Sequence, residues 1–194
     1  MFCEAEKFNQ PLDKWDTSEV REMAWMFAGC TKFNQNIGMW DTSNVIRMEG
    51  MFEGAVCFNQ PLNDWDVSNV RYMLRMFDGA KSFNQPLDRW NVSRVEDAER
   101  MFKNARSFSQ SLDMWLIPRF CDISNMFLYA PKFTDVKTLT LCFHLATKKN
   151  CRARLKEKLD KLHPAEVYTE LSRYGSEHTA ELSLIHISEP TRRV

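Results

Sequence analysis

The stretch FNQPLNDWDVSNVRYMLRMFDGAKS, Phe58–Ser82, decides the fold because the chain repeats it in steps of 25 residues. Phe8, Phe33, Phe58, Phe83, Phe108 and Phe133 keep that step, as do Trp15, Trp40, Trp65, Trp90 and Trp115. The pairs Met26-Phe27, Met51-Phe52, Met76-Phe77, Met101-Phe102 and Met126-Phe127 follow it without a gap. A fixed period of this length signals units that stack, because one unit alone cannot bury its apolar face.

Within Phe58–Ser82 three local signals follow one another. Asn59-Gln60-Pro61 reads as a turn, since proline fixes its own φ and lacks an N–H. From Leu62 to Val67, Trp65 and Val67 alternate with Asp64 and Asp66, the period of a short half-buried strand. Val70, Met73, Met76, Phe77 and Ala80 then fall at steps of three and four, the stripe of a short helix. Ser68 stands at a helix N-cap position and Gly79 at a helix stop. Ser18, Ser43 and Ser93 repeat the cap, and Glu96 follows Ser93 as in a capping box. One short strand and one short helix per coil predict an α/β, right-handed repeat solenoid of the leucine-rich-repeat type. Its parallel strands would stack over roughly 24 Å.

The polar constants fit stacking too. Asn9, Asn34, Asn59 and Asn84 share one position and Asp16, Asp41, Asp66 and Asn91 another. A buried asparagine column would satisfy backbone groups in adjacent turns. The aspartate column offers a hard cation such as calcium one carboxylate per coil, too few ligands, so capping or turn duty is expected and no metal or cofactor.

The chain has 194 residues with 26 basic and 26 acidic side chains, a balance that argues against a protein built to neutralise phosphate. Aromatic content is 12%, and the repeats supply most of it. Cys3, Cys30, Cys57, Cys121, Cys142 and Cys151 show no C-x-x-C pair and no repeat spacing, so free thiols are expected. Cys30 takes the place of Ala55 and Ala80 and reads as a small buried residue. No apolar run reaches the roughly 20 residues of a membrane span.

The string F-N-Q-P-L-x-x-W-D-V-S-N-V-x-x-M-x-x-M-F-x-G-A, Phe58–Ala80, resembles the repeat of BspA-like leucine-rich-repeat proteins, with relatives among mycoplasma surface lipoproteins. The resemblance spans residues 8–132 as repeats 8–32, 33–57, 58–82, 83–107 and 108–132. It implies a cell-surface or extracellular protein whose repeats mediate adhesion or protein binding, with a host-matrix or cell-surface protein as partner. It carries over no catalytic residue. The fifth repeat departs from the pattern, with Leu116-Ile117-Pro118 in place of Asp-Val-Ser, and reads as a worn final coil. Met1-Phe2 stands 25 residues before Met26-Phe27, so the chain is expected to begin inside an earlier repeat, as a fragment, with any membrane anchor outside it.

Beyond Phe133 the pattern fails: Lys137 stands at the leucine position and Thr140 at the tryptophan position. Residues 133–181 are expected to form a capping segment and helical tail. Val136, Leu139, Leu141 and Phe143 would cap the stack, a helix would run from about Ala153 to Leu162, and a second would start at Pro164. Lys148, Lys149, Arg152, Arg154, Lys156, Lys158 and Lys161 are seven positive charges in fourteen residues, offset by Glu157 and Asp160 to +5. Contact with nucleic acid or anionic lipid through 148–161 is a remote alternative, weakened by the absence of interleaved aromatics. Leu182–Arg192, LSLIHISEPTR, matches codon for codon the read-through of a transposon-type sequencing adapter. Residues 182–194 are therefore expected to be non-native.

Three classes of function are open to such a chain. A binding module would display changing residues in rows while its neighbours stay constant. Lys14, Met39, Asp64, Arg89 and Met114, each one residue before a repeat tryptophan, form such a row. A structural spacer presenting another domain would need no such row. An enzyme is not expected: His144, His163, His178 and His186 all lie outside the repeats, and no H-E-x-x-H, nucleophile elbow or phosphate loop occurs.

Overall fold

The computed structural model describes residues 1–146 and 149–162, and the chain divides into two compact units, Met1–Phe133 and Thr134–Val194. The first unit is built from the repeats. Parallel bridges join Glu22 to Arg47, Arg47 to Tyr72, Tyr72 to Asp97 and Asp97 to Asp122, so neighbouring repeats lie in register at the sequence period.

The apolar stripe is buried as its spacing requires, but its backbone is not a helix. Val70, Met73, Met76, Phe77 and Ala80 are fully enclosed. Yet the amides of Met73, Arg75, Phe77 and Gly79 donate to Asp97, Glu99, Met101 and Lys103 of the next repeat, at 2.8–2.9 Å. Met76, Asp78 and Ala80 donate three residues back, closing successive turns. Positive φ at Arg75 (55°) and Gly79 (74°) breaks any helical run. The reason is energetic. One helix of this length is marginal by itself, whereas the turn geometry sends every second amide to a neighbouring coil and still points the stripe inward.

The expected strand is displaced as well. Leu62–Val67 contains a turn at Asn63-Asp64 and no bridge; pairing falls at Tyr72, inside the segment expected to be helical. The alternation is real, for Trp65 and Val67 are buried and Asp64 and Asp66 exposed. It marks side-chain direction only. Here the backbone is tied by side chains: the indole N–H groups of Trp40, Trp65, Trp90 and Trp115 donate to the carbonyls of Leu12, Ile37, Leu62 and Leu87 at 2.8–3.1 Å.

Aromatic columns fill the interior. Phe33, Phe58, Phe83, Phe108 and Phe133 stack with centroids 5.7–6.0 Å apart. The Met-Phe pairs add a second column, Phe27, Phe52, Phe77, Phe102 and Phe127, whose rings lie 4.0–4.2 Å from the first. Truncating any one of these rings to alanine should cost about 3–5 kcal/mol.

The asparagine column works as expected with one correction: it is exposed or half-buried, not buried. The Oδ1 atoms of Asn9, Asn34, Asn59 and Asn84 accept from the amides of Asn34, Asn59, Asn84 and Ser109 at 2.8–2.9 Å. Gln35, Gln60 and Gln85 donate to the same atoms. Turn edges meet water on one side, so the column stands at the rim of the core. The serines expected to cap helices accept no such role. Their amides donate to Oδ1 of Asp16, Asp41, Asp66 and Asn91 at 2.9–3.2 Å, closing two-residue turns. Glu96 does not close a capping box with Ser93 but pairs with Arg71.

In the second unit, α1 (Val136–Leu145) begins at Asp135, whose carboxylate accepts from the Thr138 amide and hydroxyl. It contains the four apolar residues expected to cap; Leu139 and Phe143 are buried, Val136 and Leu141 half-buried. The sequence signal for this helix was present, an N-cap aspartate followed by Val136, Leu139 and Phe143 at helical steps. α2 (Lys149–Asp160) starts four residues before the expected Ala153. The guanidinium of Arg152 lies 4.6 Å from the centre of the Phe143 ring. Pro164 and the adapter-like stretch lie outside the described residues.

Candidate recognition surface

The row before the tryptophans is exposed throughout: Lys14, Met39, Asp64, Arg89 and Met114 all face solvent, Met39 at 84% and Met114 at 69%. Its members seldom cooperate. Asp64 and Arg89 form one ion pair at 2.7 Å, well exposed on both sides, which contributes little.

A second, wider surface flanks the bridge ladder, and sequence reasoning missed it. Between the buried Val70 and Met73 positions, Arg71 and Tyr72 lie outward, and Leu74 and Arg75 follow. All four positions change from repeat to repeat: Ile46, Arg47, Glu49 and Gly50 stand there in the second, Glu96, Asp97, Glu99 and Arg100 in the fourth. The signal was legible as changing rows inside the stripe, but a helical reading spread them round a cylinder instead of joining them on one face. Charges here are matched between coils. Arg71 bridges Glu96 at 2.9 Å, Arg75 approaches Glu53 at 3.5 Å and Lys103 approaches Asp78 at 3.7 Å. Arg47 pairs with Glu49 and lies over the Tyr72 ring. Burial pushes the Glu53 carboxyl above its usual range.

The fifth repeat slips by one residue. In repeats two to four the amides of Val45, Val70 and Val95 close turns onto Thr42, Val67 and Val92, and the valines are buried. In the fifth, Cys121 closes the turn onto Pro118. Cys121 is buried, and Phe120, which holds the valine position, is 73% exposed. The cause is local. Leu116 supplies no carboxylate and Pro118 no N–H, so the two-residue turn made by Asp66 and Ser68 cannot form. A cavity of about 10 Å³ lined by apolar side chains, among them Val95, Ala98, Trp115 and Ile117, lies beside the smaller cysteine. Burial drives the Cys121 thiol up to about 12.

All six cysteines are free thiols, and Cys30 is buried as its alanine register requires. No group of three or more His, Cys, Asp or Glu side chains suited to a metal occurs among the described residues. Of the basic segment, Lys149, Arg152, Arg154, Lys156 and Lys158 lie on α2, Lys161 follows its end and Lys148 is outside the described residues; Lys156 pairs with Asp160 and Lys161 with Glu157, both at 2.7 Å. His144 lies in α1; His163, His178 and His186 are outside the described residues. No helix among the described residues is long and apolar enough to cross a membrane.

These features define a repeat protein whose constant residues serve the stacking and whose changing residues gather in two places, the exposed row before the tryptophans and the partly buried rows beside the ladder. A family model described as Mycoplasma protein of unknown function, DUF285, matches residues 1–70 and 35–139. The chain belongs to that family. No match was found among curated proteins or among solved structures.

Proposed function

We propose that the chain is a non-catalytic scaffold of a cell-surface protein, a BspA-like right-handed solenoid of the leucine-rich-repeat type, that binds another protein. One observation carries the reading. Phenylalanine, tryptophan, asparagine and aspartate columns all have partners in the repeats, whereas the rows Arg21, Ile46, Arg71, Glu96 and Glu22, Arg47, Tyr72, Asp97 change in charge and shape while remaining exposed or half-buried. A spacer would need the first property and not the second. The ladder surface, with Tyr72, Arg71 and Glu96 at its centre, is the first candidate face; Lys14, Met39, Asp64, Arg89 and Met114 form the second.

The test is adhesion of the purified chain to host-matrix proteins and to cells. Replacing Arg71, Tyr72 and Leu74 together with serine should abolish binding if the ladder face is used. Replacing the row before the tryptophans tests the other face. Binding that survives both sets in folded variants, or no binding by the unaltered chain, refutes the reading and leaves the spacer.

A further inference from the structure

Glu53, Asp78 and Lys103 stand 25 residues apart, at one position of three successive coils. Backbone bonds hold them in register. The Gly54 amide donates to the Asp78 carbonyl and the Gly79 amide to the Lys103 carbonyl, both at 2.8 Å. Two acids and an amine thus form a short column; Cys3, Ala28 and Leu128 take the same position in the other coils.

The charged pair in this column differs from the other ion pairs between coils. Lys103 Nζ lies 3.7 Å from Asp78 Oδ2, and only 24% and 9% of the two side chains are exposed. Arg89 and Asp64, by contrast, meet at 2.7 Å in full view of solvent. A separation of 3.7 Å is too long for a charge-assisted hydrogen bond, so two charges leave water with little compensating attraction. The other Asp78 oxygen, Oδ1, accepts from Asn104 Nδ2 at 2.9 Å. Glu53, one coil back, has its Oε2 buried without a hydrogen-bond partner. Burial raises the Glu53 carboxyl against the pull of Arg75, Lys103 and Arg100, and the Asp78 charge raises it further. The column therefore holds an amine, a carboxyl within reach of it and an acid whose protonated form is favoured.

We propose that Lys103 and Asp78 condense into an isopeptide bond, a covalent tie between the third and fourth coils, with Glu53 carrying the protons. The ammonium gives one proton to the Asp78 carboxylate, and the neutral amine attacks Cγ. Oδ1, held by the Asn104 amide, takes the charge of the tetrahedral intermediate. A second amine proton goes to Oδ2, which leaves as water. The Nζ–Cγ bond forms, the Cγ–Oδ2 bond breaks, and nothing is oxidised or reduced. Two effects favour the product. The amide is neutral where two charges were buried, and groups fixed side by side react as if at about 10⁵ M or more. The bond forms whatever the repeats bind.

The test is the intact mass of the purified full chain, followed by a tryptic digest. The expected chain is lighter by one water than its sequence requires, and its digest contains a branched peptide that joins the segments holding Asp78 and Lys103. Lys103→Arg keeps the charge and should show its full sequence mass. That variant also excludes a cyclic imide at Asp78-Gly79, which loses water without any lysine. Glu53→Gln should leave most of the chain without the cross-link. Full mass in the unaltered chain, water loss that persists in Lys103→Arg, or complete cross-linking in Glu53→Gln overturns the proposal. The unaltered chain decides by itself if a variant fails to fold.

Discussion

Restoring the lost turn of the fifth repeat should turn one residue inside out. The variant Leu116→Asp, Pro118→Ser, Phe120→Val rebuilds the pattern of the third repeat around Ile117. A carboxylate at position 116 and an amide at 118 recreate the bond made by Asp66 and Ser68, 2.9 Å long there. A valine at 120 then fits the site that Val70 and Val95 fill in the neighbouring coils, where phenylalanine would overpack it by about 1–3 kcal/mol. Register moves back by one residue, and Cys121 goes to the position that Arg71 holds at the surface. The consequence is chemical. With its thiol at about 12, Cys121 is about one part in ten thousand thiolate at pH 8; at the ordinary value of 9.0 it is about one part in ten. Lower intrinsic nucleophilicity offsets roughly twentyfold of that gain, leaving about a fiftyfold faster reaction with a disulfide reagent, before improved access is counted. The assay is stopped-flow thiol titration in a Cys3→Ser background, since Cys3 is the one exposed cysteine among the six. If Cys121 stays slow in the folded variant, or already reacts fast in the unaltered protein, the slip is not set by the missing turn and the reasoning fails.

Other expectations follow from the columns. Asn59→Ala removes the acceptor of the Asn84 amide and the Gln85 side chain and should cost about 1–3 kcal/mol by urea unfolding; a loss under a few tenths would deny the column its role. Trp65→Phe keeps the ring stack but leaves the Ile37 carbonyl without its indole donor, and about 1–3 kcal/mol should again be lost. Bonds from the Ser18 and Ser43 hydroxyls and amides hold the Asp16 and Asp41 carboxyls below the usual 3.8. Their contribution is therefore present above 3.8 and lost as pH falls through the depressed values. Asp16→Asn with Asp41→Asn should flatten the acid side of the stability profile, and an unchanged urea midpoint curve below pH 4 would contradict this. Glu53 has the opposite sign, its carboxyl raised by burial, so its contribution is present below 4.5 and lost as pH rises through the raised value. Glu53→Gln should gain stability relative to the parent on going from pH 4 to pH 7, and a constant difference across that range would refute the assignment.

The period, the core and the worn coil were legible in the linear chain. Phe58, Trp65, Val70, Met73, Met76, Phe77 and Ala80 are buried where their spacing put them, because side-chain direction is a local property that apolar patterning records. Backbone conformation is not recorded in the same way. Steps of three and four fit a helix or a series of tight turns equally well, and the choice fell to hydrogen bonds between residues about 24 apart, which a single repeat does not contain. The candidate site divides along the same line. The row before the tryptophans was visible because it stands alone between constant neighbours; the ladder face was hidden because a wrong period scattered its rows. The exchange of Phe120 and Cys121 was invisible too, although its causes, Leu116 and Pro118, were in plain view. The amino-acid sequence by itself determined that units of 25 residues stack and which side chains the stack encloses. Only the tertiary structure decided that the stripe is turns and ladder rather than helix, and that Trp25 lies on Gly50. Both depend on what the next coil offers, a donor, an acceptor or an empty space.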